Sequence, residues 1–357
     1  MAIPTTMQVA VYRKPGEVVV EERGVPEPGP EEVLLEVSHC GICGTDLHVV
    51  LEGMGRPNSV GGHEYAGTIA AVGERVSDWR VGDDVVGGAP TGCGRCHACR
   101  AGRPALCEEK GGFGSGEERM GAFADYKLVS AANLVAVPEG VTLREAALTE
   151  PLAVALHAIT VSGIEPKQRA VVTGAGPLGL LLIAALRAHG VDDILVSEPA
   201  PARRAQAERV GARVVAPEAL EVPPMPFTIV DQACDAAFEC SGHPEAMTAA
   251  LAQLRRLGTY VIVGTGMRRA KWDHNRVLMN ELQVTGAYNY DSGGFDAALE
   301  LLASGALPTE LLIDPDDEPL EGVLAAIEAL GRGERSAKVM IAPRSNPSTS
   351  SRGREEV

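Results

Sequence analysis

The sequence predicts an α/β protein in which a β-rich N-terminal region is followed by a doubly wound parallel sheet. Over residues 7–150, short β-branched segments alternate with Gly- and Pro-rich turns. Beyond residue 150 the pattern changes to strands alternating with helices, the arrangement that produces a parallel sheet covered on both faces. A chain of 357 residues is also long for one domain, so two domains are expected.

The N-terminal region contains two clear strands and two turns. Residues 33–37 and 68–72 are β-branched segments, which favour extended backbone. Residues 26–30 and 82–90 hold the Gly and Pro residues that are typical of turns. We therefore expect a sheet of short strands in this region.

The second region begins with an Ala-rich helix at residues 152–161 and then alternates regularly. Its predicted strands are residues 170–173, 193–197, 236–239 and 259–263, and its predicted helices are residues 178–188, 202–210 and 244–255. Near the C-terminus we predict helices at residues 295–304 and 320–331 and a strand at residues 337–341.

Charge and composition exclude several classes of partner. Acidic residues outnumber basic ones 48 to 32, and the resulting net charge of −16 argues against a nucleic acid or an anionic membrane. No stretch approaches the ~20 apolar residues that a membrane helix needs, and the first residues lack the apolar run of a signal peptide. We therefore expect a cytoplasmic protein, in which clustered cysteines indicate metal binding before disulfides.

A glycine-rich turn follows the first predicted strand of the second region. The residues expected to contact a cofactor here are Gly174, Gly176, Pro177, Leu178 and Gly179. Gly174 permits a tight turn, Gly176 lets the backbone approach a pyrophosphate, and Gly179 allows helix and strand to pack closely. The motif alone is weak in a chain with 41 glycines, but its place between strand and helix favours a dinucleotide over a turn without a ligand.

The next strand ends at Glu198, whose carboxylate would accept hydrogen bonds from the adenosine ribose. It would also repel a 2′-phosphate, which favours NAD over NADP. Arg203 and Arg204 lie close by and weaken that preference, and Arg203 is itself a candidate cofactor ligand. An ordinary solvated residue at a strand end is the alternative interpretation of Glu198.

Four more candidate cofactor residues lie at the ends of later strands: Ser241, Val263, Thr265 and Asn289. Ligands of such folds bind outside the carboxyl ends of the parallel strands. These residues are therefore expected to line the ribose and the nicotinamide.

Four cysteines lie close together at Cys93, Cys96, Cys99 and Cys107, with the spacing C-x2-C-x2-C-x7-C. Four thiolates can surround one Zn²⁺ and close its coordination shell, so this metal would stiffen a loop and take no part in chemistry. The first three spacings also match a bacterial ferredoxin, but there the fourth cysteine follows after three residues and precedes Pro. We favour zinc over an iron–sulfur cluster, a disulfide or unliganded thiols.

Further potential metal ligands and polar residues lie in three separate segments. They are Cys40, Cys43, Thr45, Asp46 and His48 in the first, His63 and Glu64 in the second, and Glu150 in the third. Spacing alone does not join these segments, because they are far apart in the chain.

In combination, these motifs resemble the medium-chain, zinc-dependent alcohol dehydrogenase superfamily. The resemblance is to its polyol branch, which includes sorbitol, butanediol, threonine and archaeal glucose dehydrogenases. It covers about residues 7–343, with the G-H-E segment, the four-cysteine lobe, E-P-L-A-V and G-x-G-x-x-G in the family's order. It implies a GroES-like catalytic domain over residues 1–153 and 291–343 and a Rossmann domain over residues 154–290. Residues 344–357 have no apolar anchor and are expected to be disordered.

The resemblance also implies a catalytic zinc held by Cys43 and His63. Glu64 and Glu150 compete for the remaining protein position, one binding directly while the other stays near. Branches that oxidise simple primary alcohols have a cysteine as third ligand, whereas Glu150 occupies that place here. A carboxylate hardens the site and suits hydroxylated substrates.

By the same resemblance, Thr45 and His48 form a proton relay, and Asp46 is the carboxylate that orients His63. The implied activity is hydride transfer between NAD and a polyol, diol or secondary alcohol. The implied assembly is a homotetramer or a homodimer.

Two other functions remain as alternatives. One is a zinc-free reductase resembling the quinone oxidoreductases, which lack both metal motifs. The other is a catalytically silent nucleotide-binding protein, which would be expected to lose ligands or relay residues. Outside the motifs, Cys40, Cys234, Cys240 and His157 are interpreted as buried core residues, and His97 as solvent-exposed.

Overall fold

Two sheets, one antiparallel and one parallel, organise the chain in the computed structural model, which describes residues 2–88, 91–109, 120–290 and 293–344. The strands are β1 (Thr6–Lys14), β2 (Glu17–Gly24), β3 (Glu32–Gly41), β4 (Glu64–Val72), β5 (Asp84–Gly87), β6 (Tyr126–Ser130), β7 (Leu134–Ala136), β8 (Arg169–Thr173), β9 (Asp193–Ser197), β10 (Arg213–Val215), β11 (Cys234–Glu239), β12 (Leu254–Ile262), β13 (Gln283–Gly286) and β14 (Met340–Ile341).

The α-helices are α1 (Gly44–Val50), α2 (His97–Arg100), α3 (Leu143–Ala146), α4 (Thr149–Ser162), α5 (Pro177–Ala188), α6 (Pro201–Arg209), α7 (Pro244–Ala252), α8 (His274–Met279), α9 (Gly294–Ala303), α10 (Thr309–Leu312) and α11 (Val323–Gly331). Short 3₁₀ turns occur at Pro104–Leu106, Ala131–Asn133, Pro217–Ala219 and Leu320–Gly322.

The β-rich domain contains a separate hairpin of β1 and β2 and a larger antiparallel sheet. The larger sheet has the order β14-β3-β4-β5-β7, and β6 also pairs with β3. Its strands bury apolar side chains such as Leu34, Leu35 and Ile69, which together with Val9 and Val11 of β1 form one core. The pairing of β3 with β4 is important for function because it sets Gly41 opposite Glu64.

The second domain is a parallel sheet with the strand order β10-β9-β8-β11-β12-β13. The order reverses between β8 and β11, which begin neighbouring halves of the sheet. Ligands bind such sheets in the crevice at the carboxyl ends of the strands at this reversal. The α/β class, with a β-rich domain and a Rossmann-type sheet, is therefore confirmed.

Helix α4 joins the two sheets. Its buried residues Leu152, Ala155 and Ala158 belong to a core that also contains Val86 of the antiparallel sheet and Leu181 of α5. The helix ends at Gly163, which takes the left-handed conformation that glycine favours at helix ends. Because α4 runs across residues 153 and 154, the predicted boundary falls within a continuous helix, and the domain limits stay a prediction.

Most predicted elements are present within a few residues, but some predictions were wrong. The predicted turn at 82–90 contains β5, whose two valines are buried between β4 and β7; residues 89 and 90 lie outside the described chain. The predicted helix at 244–255 ends at Ala252, because β12 begins at Leu254 and pairs in parallel with β11.

At the C-terminus, the predicted strand at 337–341 forms a regular ladder only at Met340–Ile341. The predicted helix at 320–331 begins with a 3₁₀ turn before α11. The tail predicted to be disordered lies outside the described residues apart from Arg344.

Candidate metal centre and nucleotide cleft

Backbone pairing brings Cys43, His63 and Glu64 together. Cys43 is the N-cap of α1, directly beyond β3, and Glu64 is the first residue of β4. The Asp46 carboxylate accepts a hydrogen bond of 2.9 Å from the Cys43 backbone N–H, which fixes this cap. One ligand atom from each of Cys43, His63 and Glu64 lies within 4.8 Å of the others.

Glu64 is held by a buried lysine from the far end of the chain. The Lys338 Nζ donates to Glu64 Oε1 at 2.8 Å and to the Ile42 carbonyl at 3.0 Å. Lys338 and Glu64 are only 2% and 1% exposed. Burial would lower the pKa of Lys338, but the charges of Glu64, Cys43 and Glu150 and the hydrogen bond to Glu64 together raise it. Lys338 was missed from the sequence, which offers no pattern linking it to Glu64.

Glu150 lies in the first turn of α4, in the same pocket but outside the group of three ligand atoms. Burial raises the pKa of Glu150 to about 7; Glu64 adds to this effect, and His63 opposes it. The geometry therefore favours Glu64 as the carboxylate beside Cys43 and His63. Which of the two carboxylates binds directly stays a prediction.

The pocket fits a zinc ion. Glu64 Oε2 is buried, and apart from its ion pair with Lys338 Nζ at 2.6 Å it accepts no hydrogen bond from the described residues. Burial would lower the pKa of His63, but Cys43 and then Asp46 raise it well above its ordinary value, so the imidazole lies in negative surroundings. A thiolate, an imidazole and a carboxylate that meet around one point are the donor set of a catalytic Zn²⁺.

The predicted relay residues lie along α1 beside this pocket. Thr45 is half-buried in its first turn. His48 Nδ1 lies 2.8 Å from Glu52 Oε2, and its Nε2 lies 3.4 Å from the Thr265 hydroxyl across the cleft. The structure thus brings together a predicted relay residue and a predicted cofactor residue from different domains. Glu52, which the sequence did not single out, fixes the orientation of the imidazole.

The four cysteines of the lobe also meet in one place. One sulfur from each of Cys93, Cys96, Cys99 and Cys107 lies within 4.8 Å of the others. Three backbone N–H groups donate to these sulfurs. That of Cys93 lies 3.3 Å from Cys107 Sγ, that of Cys96 lies 3.3 Å from Cys93 Sγ, and that of Cys99 lies 3.4 Å from Cys96 Sγ. Such N–H···S contacts stabilise thiolates, and hydrogen bonds from the Cys99 and Glu108 backbones lower the pKa of Cys96. The lobe therefore fits a closed zinc site.

The glycine turn has the predicted geometry. Gly174 has φ +91°, and Gly176 is the N-cap of α5. A side chain on Gly179 would lie 2.1 Å from the Gly174 carbonyl oxygen, so the helix can pack this closely on the turn only because residue 179 is glycine. At Gly176 a side chain would meet only Arg203, at 4.0 Å, which leaves this face of the turn accessible to a phosphate.

Glu198 lies beside that turn but is almost completely buried. Its two oxygens accept hydrogen bonds from the backbone N–H groups of Ala175 at 2.8 Å and Ala200 at 2.9 Å. Arg203 donates to the carbonyls of Leu330, in the last turn of α11, and of Arg335, which follows that helix. Cofactor contacts of Glu198 and Arg203 therefore stay predictions, and both side chains already organise the cleft.

The remaining predicted cofactor residues follow adjacent parallel strands. Ser241 follows β11, Val263 and Thr265 follow β12, and Asn289 follows β13 with φ +55°. All four lie at the carboxyl edge of the sheet, as does the glycine turn. A further residue there, Glu239, was missed because a single acid at a strand end is commonly solvated; here it is fully buried.

The residues outside the motifs are mostly placed as expected. Cys40, Cys234 and His157 are buried, His97 is exposed, and Cys240 is half-buried rather than fully buried. In the part of the chain that the structure describes, no helix has both the length and the apolar character needed to cross a membrane.

Comparison with known proteins identifies relatives over nearly the whole chain. Residues 29–139 match the family described as the alcohol dehydrogenase GroES-like domain, and residues 177–304 match the zinc-binding dehydrogenase family. Sorbitol dehydrogenase of Bacillus subtilis (strain 168) is 34% identical over 353 residues, covering 96% of this chain and 98% of that protein.

Solved structures agree with this similarity. The crystal structure of 2R,3R-butanediol dehydrogenase from Bacillus subtilis has a TM-score of 0.82 and 29% identity, covering 95% of this chain and 100% of that chain. A structure described as a putative zinc-binding dehydrogenase from Sinorhizobium meliloti 1021, bound to NADP, has a TM-score of 0.83 and 29% identity, with the same coverage.

The Lys338–Glu64 pair leads to a stability prediction. Lys338→Met should destabilise the zinc-free protein by about 3–5 kcal/mol, because it leaves a buried carboxylate without its counter-charge. The loss should be smaller with zinc bound, since the metal then neutralises Glu64. Urea unfolding with and without a chelator measures both values.

Lys127→Met is the matched control for this experiment. Lys127 is also a buried lysine, but its Nζ donates to the Met120 carbonyl and lies over the Tyr65 ring. Its destabilisation should not depend on zinc. A zinc-independent loss for Lys338→Met, equal to the loss in the control, would contradict the proposed electrostatic link between Lys338 and the metal.

Proposed function

The chain belongs to the zinc-dependent medium-chain alcohol dehydrogenase superfamily, in its polyol branch, and we propose that it transfers hydride between NAD and a polyol, diol or secondary alcohol. The observation that carries this proposal is the meeting of Cys43, His63 and Glu64 beside α1, whose His48 faces Thr265 of the nucleotide-type cleft. The similarity to a sorbitol dehydrogenase and a butanediol dehydrogenase supports a substrate with neighbouring hydroxyl groups.

In this proposal, Cys43, His63 and Glu64 hold the catalytic zinc, and Glu150, whose pKa responds to His63 and Glu64, is the alternative carboxylate ligand. Zinc supplies Lewis acidity, which lowers the pKa of a bound hydroxyl toward neutrality. Asp46 holds the Cys43 cap and lies close enough to His63 to influence its charge. Lys338 keeps Glu64 in place and limits the negative charge of the pocket.

The proton of the substrate hydroxyl leaves through the residues of α1. Thr45 would accept it at its hydroxyl oxygen while giving up its own hydroxyl proton, which would pass through the coenzyme ribose to His48 and on to solvent. The hydrogen bond from His48 Nδ1 to Glu52 directs Nε2 into the cleft, where it faces Thr265. This arrangement leaves Nε2 as the nitrogen that can accept a proton.

The coenzyme is proposed to lie along the carboxyl edge of the parallel sheet. Its pyrophosphate would lie on the turn from Gly174 to Gly179, with Pro177 and Leu178 at the start of α5. The other cofactor contacts proposed here are Ser241, Val263, Thr265, Asn289, Glu198 and Arg203. In this proposal the Glu198 carboxylate lies beside the adenosine ribose and would repel a 2′-phosphate, which favours NAD over NADP.

The two alternative functions are less well supported by the structure. A zinc-free reductase would not need either thiol group, yet Cys43 and the four lobe cysteines all point at common centres. A silent nucleotide-binding protein would not need His48 to be oriented toward Thr265.

We further propose that two copies associate through β13. This strand ends the parallel sheet and leaves one edge of its backbone without a neighbouring strand in the described chain. Apolar side chains beside it are unusually exposed, including Leu278 at 70%, Met279 at 52% and Val284 at 37%. An open apolar edge favours pairing with another strand. A homodimer, or a homotetramer made from two such pairs, fits these features.

We also propose that the catalytic domain covers residues 1–153 and 291–343 and that the coenzyme-binding domain covers residues 154–290. The same proposal places the protein in the cytoplasm, because eight free cysteines, four of them arranged for a metal, suit a reducing compartment.

The metal assignment makes the first functional prediction. The wild-type protein should contain about two zinc ions per chain and oxidise polyols with NAD. Cys43→Ala should lower kcat at least 1,000-fold (about 4 kcal/mol) and retain about one zinc, with NADH binding nearly unchanged. Cys99→Ser should also lose one zinc, but its main effect should be on thermal stability. Retained activity in Cys43→Ala would refute its role as a ligand.

Coenzyme preference makes the second prediction. Glu198→Ala should reduce the preference for NAD over NADP about tenfold, because it removes one charged acceptor from the ribose site. The ratio of kcat/KM for the two coenzymes measures it. Glu208→Ala is the control, because Glu208 is an exposed acid on α6, the helix that follows Glu198. An unchanged ratio in Glu198→Ala would remove this assignment.

The assembly proposal is tested by light scattering. The wild-type mass should be two or four times 37.3 kDa. Val284→Lys together with Leu278→Lys should shift the mass toward one chain, because two charges would then be buried at the contact. A wild-type monomer, or a mutant with unchanged mass, would contradict an interface at β13.

A further inference from the structure

We propose that Glu239 is a positioning residue of the coenzyme site. It holds the turn at Ser241 and Gly242 in the position that coenzyme binding requires. This inference rests on the proposed function, because it needs that turn to face the coenzyme. Glu239 is the last residue of β11, the strand next to β8 at the reversal of the sheet order. It is 0% exposed, so it does not contact the coenzyme itself.

The Glu239 carboxylate gathers hydrogen bonds from two strand ends. Its Oε1 accepts from the Ser241 backbone N–H at 2.8 Å, from the Ser241 hydroxyl at 2.5 Å and from the Thr173 hydroxyl at 3.5 Å. Both carboxylate oxygens lie 3.1 Å from the Gly242 N–H. Thr173 is the residue immediately before the glycine turn. One side chain therefore joins the turn after β11 to the beginning of the pyrophosphate-binding turn.

The turn held by Glu239 is enclosed by backbone on both sides. A side chain on Gly174 would lie 3.0 Å from the Ser241 nitrogen. On the other side, a side chain on Gly264 would lie 2.6 Å from the Gly242 nitrogen, and one on Gly266 would lie 2.0 Å from the Gly242 oxygen. Three consecutive loops of the cleft thus touch through their backbones. A shift of the middle turn would displace both of its neighbours.

The hydrogen bonds around Glu239 favour its ionised form. All of its hydrogen-bond partners are N–H or O–H groups that donate, so a carboxylate satisfies them better than a carboxylic acid. Burial raises the pKa of Glu239, and the hydrogen bonds from Ser241, Gly242 and Thr173 oppose that effect. A buried carboxylate is costly, and its bonds here go to the turn rather than to a cation. Positioning of the turn explains why an acid occurs at this place.

A merely structural role would have different consequences. If Glu239 only completed the end of β11, its replacement would lower stability without separating coenzyme binding from turnover. If it positions the turn, the affinity for coenzyme should fall, while zinc content and turnover at saturating coenzyme are kept.

The test compares Glu239→Leu and Glu239→Gln in the full-length, zinc-loaded protein, with Glu245→Gln as control. Leucine is similar in size to glutamate but has no hydrogen-bond acceptor. Glutamine keeps one oxygen, which can take the place of Oε1, the oxygen that accepts most of the hydrogen bonds. Glu245 is exposed and pairs with Arg268, and it shares none of the hydrogen bonds that Glu239 makes to the turn. NADH binding is followed by fluorescence titration, and KM and kcat are measured with NAD and a polyol.

We expect the Kd for NADH to rise at least about tenfold in Glu239→Leu, about threefold in Glu239→Gln and not at all in Glu245→Gln. The KM for NAD should rise in parallel, while kcat at saturating NAD and the KM for the polyol change less than about twofold. Zinc should stay at about two ions per chain.

Unchanged NADH affinity in Glu239→Leu would overturn the inference, as would a loss of kcat without a change in the KM for NAD. If Glu239→Leu does not fold, Glu239→Gln decides, and a wild-type Kd in that variant overturns the inference. Failure of the proposed function would look different, because the wild-type protein itself would then bind no NADH or oxidise no alcohol.

Discussion

The buried contact between Lys338 and Glu64 is the interaction on which the metal centre depends. The pairing of β3 with β4 brings Glu64 to Cys43, but the Glu64 carboxylate, a Cys43 thiolate and a Glu150 carboxylate in one buried pocket would repel one another. Lys338 supplies one positive charge, and a zinc ion would supply the rest. A buried ion pair is weak evidence for stability in itself. Here its position beside three potential ligands gives it a function, since it offsets the charge of Glu64 within the pocket.

The cleft between the two sheets is built from contacts that cross it. His48 meets Thr265, Arg203 binds the Leu330 carbonyl at the end of α11, and the Tyr290 hydroxyl donates to the Gly88 carbonyl at 3.0 Å. Several of these residues are also proposed to touch the coenzyme or the departing proton. Coenzyme binding and the relative position of the domains should therefore be linked, because the same side chains take part in both.

The sequence predicted the local parts of the site better than the long-range ones. The glycine turn and the four-cysteine lobe each lie within a short segment, so their spacing carries the geometry. Lys338 could not be found in this way, because 274 residues separate it from Glu64 and no periodicity connects them. The segment around β5 was predicted as a turn, but it forms a strand because it pairs with β4 and β7, and the sequence does not specify such pairing. Glu239 was visible as an acid at the end of an apolar strand, but its burial became apparent only when β11 was placed between β8 and β12.

Anomalous diffraction at the zinc absorption edge tests the metal centre most directly. Crystals of the purified protein should show two zinc peaks per chain. One should lie within bonding distance of Cys43 Sγ, a His63 ring nitrogen and a Glu64 oxygen, and the other among the four lobe cysteines. A peak in the lobe alone, with Cys43 and His63 unliganded in protein purified with zinc, would contradict the assignment of this pocket as a catalytic metal site.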